Sequence, residues 1–248
     1  MLKPPMNMSM SMHALTCVIR SPVAQGEPPC RYREFIRANI YSVIKHTFPL
    51  FYAQLNEETL YILTDEWLVI HGAIEPEFHQ IATEFVQFIQ QQNNHNASVN
   101  LSAEQIALLE YEWIVFNAEM DSAHVPNLNV WWDDVEAQPE AFCIQLNPTL
   151  KLVEVPFLVH PESVTFLIQE QKTVCYGVFR HASHQVVSQK LREVDIALIQ
   201  MIQNAPAQSL TQLEQQIAQH LSNFHFLAWV QTFQQQGLIS LYLLGETL

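Results

Sequence analysis

Between residues 120 and 140 the hydrophobic period of the chain shifts from helical to strand-like, and this constrains the fold more than any other feature. Before the change, apolar residues fall at 32, 35, 36, 40, 43, 44 and 48. That spacing follows the 3.6-residue turn of an α-helix and predicts an amphipathic helix ending near Pro49. A second helix is expected from Asn56, whose side chain can accept from a free N–H at the helix start. Glu57 and Glu58 suit the positive end of its dipole, and Gly72 would stop it. A third begins around Pro76 and Glu77, carries Phe78, Ile81, Phe85, Phe88 and Ile89 on one face, and fades into the polar run 90–94. A fourth opens at Ser102, with Gln105 placed for a capping box, and buries Ile106, Leu109 and Trp113.

After residue 140 the apolar runs become short and rich in β-branched and aromatic residues. Segments 142–146, 150–155, 164–169, 174–180 and 185–191 read as strands, with Glu170, Gln171 and Lys172 as a hairpin turn. Helical spacing returns over 194–203, again after Ser209, and again after Asn223 as far as Gly237; 238–244 reads as a closing strand. Residues 1–29, ending in a Pro-rich stretch, are expected to form an arm, and 121–140 an irregular acidic connection. The expected fold class is α+β: an all-helical domain over 30–120, then a winged-helix-like α+β domain over 141–248.

Composition excludes several functions. The five glycines, at 26, 72, 177, 237 and 245, are never spaced as G-x-G-x-x-G or G-x-x-x-x-G-K-[ST], so the common phosphate cradles are absent. No run of about 18 apolar residues offers a membrane span. Cys17, Cys30, Cys143 and Cys175 form no C-x-x-C pair and are expected to be reduced, buried thiols. Asn7, Ser9, Ser11 and His13 interrupt the start too often for a signal peptide, which suggests a cytoplasmic protein.

The net charge of −14 is unevenly spread: +4 over residues 1–50, −16 over 51–150 and −2 over 151–248. A duplex-DNA binder draws most of its affinity from neutralised phosphates, and here the main basic group is Arg31, Arg33, Arg37 and Lys45. Arg33 and Arg37, four apart on one helix face, could clamp a phosphate or an acidic partner. Alternatively Arg37 pairs inside the fold with an acid such as Glu112. The whole field suits a basic or neutral partner. Trp131 and Trp132, set among acids, are either a partner contact or a cap on the seam between domains.

Among eleven histidines the closest metal-like spacing is His181-x-x-His184, which falls in a turn without an evident third ligand. The acid pairs Glu57/Glu58, Asp65/Glu66 and Asp133/Asp134 read as solvated helix starts. No catalytic residue, metal or cofactor is expected. An open sheet edge in the second half could accept an extended peptide as an added strand.

Four local patterns, in order, resemble the HvfC/BufC family. Ile36-Arg37-Ala38-Asn39-Ile40 stands where that family shows Y-R-N-N-V, and Phe48-Pro49 ends the same helix. Leu109-Glu110-Tyr111-Glu112-Trp113 is similar to its L-x-x-E-W, and Leu146-Asn147-Pro148-Thr149-Leu150 to its L-H-P-S-L. The departures are Ile36 and Ala38 for Tyr and Asn, and Asn147 for His. The resemblance marks Asn39, Pro49, Glu112, Trp113 and Pro148 as structural motif residues. It implies a non-enzymatic partner protein that assists an iron-dependent, peptide-modifying oxidase and its substrate peptide in copper-buffering peptide maturation. An older reading of the family makes it a DNA-binding transcriptional regulator. The expected function is the partner role, with DNA binding as the alternative.

Overall fold

The computed structural model describes residues 31–70, 79–92, 99–126, 130–167, 172–204 and 208–245, together with Met10, Ala14, Thr16, Cys17, Arg20 and Ser21. The expected arm, Gly72, Pro76, Glu77, Glu170 and Gln171 therefore lie outside the described residues, apart from those six. The chain divides into two compact units, 1–113 and 114–248.

The first unit is helical. α1 spans Arg31–Thr47, α2 Pro49–Ala53, α3 Glu57–Ile70, α4 Gln80–Gln92 and α5 Ala103–Met120, the last running on into the second unit. α1 ends at Thr47, close to Pro49 as expected, and Pro49 opens the next short helix. It stands at the first turn of α2, where its missing N–H costs nothing. The expected caps form: Asn56 Oδ1 accepts from Thr59 N–H at 2.7 Å, and Ser102 and Gln105 bond reciprocally at 3.2 and 2.9 Å.

The buried stripe of α1 is rotated from the expected one. Arg33, Ile40, Tyr41 and Ile44 are inside, while Tyr32 and Phe35 face solvent. The stripe keeps the helical spacing but is headed by an arginine, a choice no hydropathy pattern would make. The core beneath it holds Ile44, Phe48, Phe51, Leu60, Trp67, Phe85, Leu108 and Leu109, and Trp67 meets Phe85 edge-on at 6.3 Å. Each such side chain contributes about 1.5–3 kcal/mol by leaving water.

The second unit mixes strands and helices. α6 spans Trp132–Ala137, then come β1 Phe142–Leu146, β2 Lys151–Val155, β3 Phe157–His160, β4 Ser163–Phe166, β5 Val174–Arg180 and β6 Val186–Leu191. α7 Glu193–Asn204, α8 Leu210–Ala218, α9 Phe226–Gln235 and β7 Ile239–Leu243 follow. The α+β class is as expected. Two elements were not: α6 lies in the segment read as irregular, and β3 was unread. β4 was expected to turn into β5 through residues 170–172. It pairs instead with β3, while β5 sits between β2 and β6 in a separate antiparallel sheet.

The three helices α7 to α9 and the closing strand match their expected positions, and the Ser209–Gln212 capping box forms. β7 pairs antiparallel with β1, joining the two ends of the unit: Phe142 lies opposite Leu243 and Leu146 opposite Ile239. A single bridge from Cys143 to Ser209 ties β1 to the start of α8. The core holds Phe179, Ile199, Leu210, Phe226, Val230, Leu238 and Leu241, and Trp229 packs on Phe233 at 4.7 Å. Among the described residues no helix is long and apolar enough to cross a membrane.

Candidate functional site

A groove of about 550 Å³ opens on the second unit. Besides Asn147, four stretches line it: Val125, Pro126 and Val130–Trp132; the β5–β6 turn at His181 and Ala182; Gln231, Gln234 and Gln235 on the last turns of α9; and Gly237, Ile239 and Ser240 leading into β7.

Trp131 and Trp132 reach the groove because α6 begins between them. The Trp131 carbonyl accepts from the Asp134 and Val135 N–H groups at 3.2 and 3.4 Å. Asp133 and Asp134 sit in the first turn, where the helix dipole favours negative charge. Trp132 packs on the core of the unit, and its Nε1–H donates to Glu136 Oε1 at 2.7 Å, fixing the indole. Trp131 has no such anchor in the core and is 80% exposed. Its backbone is fixed while its ring stands in solvent at the groove.

The opposite wall is fixed by Asn147, which also lines the groove. Its Nδ2 donates to the Arg180 and Gly237 carbonyls, both at 2.9 Å. Its Oδ1 accepts from Thr149 N–H at 3.0 Å and Thr149 Oγ1–H at 2.7 Å, and its backbone N–H donates to the Leu238 carbonyl at 2.8 Å. Every polar group of this buried amide is thus used, as burial requires. One side chain joins the β1–β2 turn, the end of β5 and the α9–β7 corner. Thr149 Oγ1 also accepts from Arg180 N–H at 2.8 Å.

Gly237 makes that corner. Its φ of +77° is one that L-residues adopt at a cost, and a Cβ there would stand 2.4 Å from Cδ2 of the His181 ring. Glycine therefore lets the imidazole lie against the backbone. His181 Nδ1 accepts from Ser183 N–H at 3.1 Å, so the neutral ring carries its proton on Nε2. Arg180 extends its guanidinium to the carbonyls of Glu119 (3.1 Å), Asp121 (2.6 Å) and Ala123 (2.6 Å), strapping down the chain that leads into the groove. The lining is indole, amide and imidazole. That set can hold apolar side chains and hydrogen-bond a peptide backbone.

The basic residues singled out from the sequence do not gather into a surface. Arg33 is buried at 3% exposure, so the clamp of Arg33 with Arg37 is not presented to solvent. Arg37 pairs with Asp65 of α3 and donates to the Ser21 carbonyl at 3.2 Å. Its internal partner is therefore Asp65 and not Glu112. Lys45 lies over the Tyr52 ring at 4.3 Å, and 4.0 Å from Glu57. Arg31 is exposed.

The motif residues of the helical unit fall into structural positions. Glu112, buried on α5, accepts from the Leu50 and Phe51 N–H groups, both at 2.8 Å, and so caps α2 from another helix. Burial pushes its carboxyl up to about 7, against the pull of those two hydrogen bonds. Trp113 Nε1–H donates to Thr83 Oγ1 at 3.2 Å, tying α5 to α4. Asn39 and Pro148 are exposed.

Sequence reasoning missed Asn147 as a structural bracket, the α9 glutamines as groove lining, and Asp195. Asp195 is buried and accepts from Arg192 N–H, Nε–H and Nη2–H at 2.8, 3.0 and 2.8 Å and from Trp229 Nε1–H at 3.0 Å. Burial alone would raise its carboxyl, but the Arg192 and Trp229 hydrogen bonds outweigh that and hold it below the usual range. The one readable signal was Arg192-x-x-Asp195 at a helix start. His181 and His184 fall in the β5–β6 turn as expected, with His184 at φ 66°, and no metal-holding cluster occurs among the described residues.

Comparison with known proteins agrees with the resemblance read from the sequence. No curated protein matches the chain. Residues 147–238 match the family model of the HvfC C-terminal domain, a span that begins at Asn147 and ends one residue past Gly237. The match takes in Asn147, His181, Ala182, Gln231, Gln234, Gln235 and Gly237 of the groove, and it supports a relationship of this part of the chain to the HvfC family.

Proposed function

We propose that the chain is a non-enzymatic partner protein that binds a peptide-modifying metalloenzyme together with its substrate peptide, and that the groove beside Trp131 is the contact. The observation that carries this reading is the exposure of Trp131. An indole held at 80% exposure by a fixed helix start gains nothing for the fold. Covered by a partner, it would bury a large apolar area. The amides of Gln231, Gln234 and Gln235 supply donors and acceptors for main-chain groups of an extended peptide. The acids beside the groove, Asp133, Asp134 and Glu136, favour a basic or neutral partner.

The same geometry speaks against duplex DNA as the ligand. Of the four basic residues on α1, one is buried, one is paired with Asp65, and one lies on a tyrosine ring beside Glu57. Phosphate binding would have to break those contacts before releasing counterions.

The test is co-purification of the full-length chain from its native lysate after nuclease treatment, with proteins identified by mass spectrometry. A metalloenzyme and a small peptide are expected with the native chain and are expected to be lost with Trp131→Ala. Recovery of DNA that falls steeply with salt, unchanged in Trp131→Ala, would overturn the reading.

A further inference from the structure

The lip of the groove carries charge that the fold leaves unused. Asp133 and Asp134 follow Trp131 and Trp132 in sequence and are exposed. The Asp134 N–H donates to the Trp131 carbonyl at 3.2 Å, so the two side chains spring from adjacent points of one turn. Among the described residues no cation of the chain is paired with either acid or laid over the Trp131 ring. Residues 51–150 contain no lysine or arginine, and Arg180, next to the lining residue His181, is held by three carbonyls. We infer that Trp131 with Asp133 and Asp134 receives an arginine side chain of the peptide that occupies the groove, an inference that rests on the groove being the peptide contact.

The chemistry of the three groups carries the argument. An indole face attracts a cation more strongly than a phenol face does, and Trp131 is 80% exposed. A guanidinium is planar, so it can lie flat on the ring and still turn its N–H edge toward a carboxylate. An ammonium is a point charge and has no such edge. A ring and a carboxylate already hold a cation together in the helical unit, where Lys45 lies over the Tyr52 ring at 4.3 Å and 4.0 Å from Glu57. Among the described residues no carboxylate lines the groove itself, so selection for charge falls to this lip.

The competing explanation is that the two acids serve only the start of α6 and solubility. Asparagine separates the two, because it keeps the shape of aspartate and removes the charge.

The experiment pans a random peptide library on the full-length chain, on Asp133→Asn with Asp134→Asn, and on Trp131→Ala. The native chain is expected to enrich peptides that carry arginine beside an apolar residue. The double asparagine variant should still enrich the apolar residue but lose the arginine, and Trp131→Ala should enrich neither. Fluorescence anisotropy then compares the most enriched peptide with an analogue in which citrulline replaces the arginine. The arginine peptide should bind the native chain about tenfold more tightly at low salt, and the ratio should shrink at about 1 M salt. This arm needs no protein variant, so it holds if the asparagine variant does not fold. The inference is overturned if the native pool shows no arginine preference, if the asparagine variant keeps that preference, or if the citrulline peptide binds as tightly. In each of those cases a pool that still depends on Trp131 leaves the groove as the peptide contact. A native pool no different from that of Trp131→Ala would overturn the groove reading and this inference with it.

Discussion

Each unit holds a buried carboxylate, Glu112 in one and Asp195 in the other, and the two are held in opposite ways. In the helical unit Glu112 faces two backbone N–H groups at the start of α2, with no cation on it among the described residues, and its carboxyl is pushed up to about 7. In the second unit Asp195 faces Arg192 and the Trp229 indole, and its carboxyl is held low. Backbone dipoles alone do not offset the desolvation of Glu112, whereas two bonds from the Arg192 guanidinium, with the Arg192 backbone N–H and the Trp229 indole, offset that of Asp195. The contrast extends to function. The helical unit spends its polar motif residues on joining helices to one another. The second unit satisfies the Asn147 amide, ties the Arg180 guanidinium to three carbonyls, and leaves an indole and a row of amides facing a groove.

The comparison breaks most visibly at Asn147. Asn147→Ala would leave the Arg180 and Gly237 carbonyls and both Thr149 donors without partners. A loss of about 4 kcal/mol is expected in urea unfolding, because each buried unpaired group costs about 1–3 kcal/mol and water can reach some of them.

Glu112 sharpens the contrast through pH. Its folded pKa of about 7 lies above the ordinary value of 4.5, so between those values the folded state holds more protons than the unfolded state. The stability it contributes is therefore full below about pH 4.5 and is lost as pH rises through 7. Over pH 4.5–8 the native chain should lose about 2–3 kcal/mol that Glu112→Gln does not lose. Parallel pH profiles of the two chains would contradict this. Asp195, held low, should show no matching loss in that range.

Gly237→Ala is expected to cost about 2 kcal/mol, from the positive φ and the collision with His181. Adding His181→Ala should recover the collision part only, a coupling that a double-mutant cycle measures. Arg37→Ala should cost about 1 kcal/mol, since it removes a pair whose aspartate is nearly half exposed. Trp131→Ala should change stability by no more than about 0.5 kcal/mol while abolishing partner capture.

Local signals were legible and distant partners were not. Asn56, the Ser102–Gln105 box and the Ser209–Gln212 box lie within a few residues of what they cap, so the sequence shows them. The Glu112 cap joins residues about sixty positions apart, and Asn147 reaches Gly237 across ninety. No local pattern encodes such pairings. Pro49 reads as a stop because proline ends helices, yet the same ring suits the first turn of the next one. β3 has only four residues between Pro156 and Pro161, too few to show alternation. Arg37 was legible as an internal ion pair but not its partner, because Asp65 and Glu112 are equally acidic in sequence and only packing chooses. Trp131 was legible as a pair with Trp132. That one indole would be anchored and the other exposed depends on where α6 begins.

The most direct test of the central claim is amide hydrogen exchange on the full chain, alone and with its co-purified partner. The account predicts slowed exchange at residues 130–137, 181–184 and 231–240 in the complex, with α1 unchanged. Slowed exchange confined to α1, with the groove exchanging as in the free chain, would contradict it.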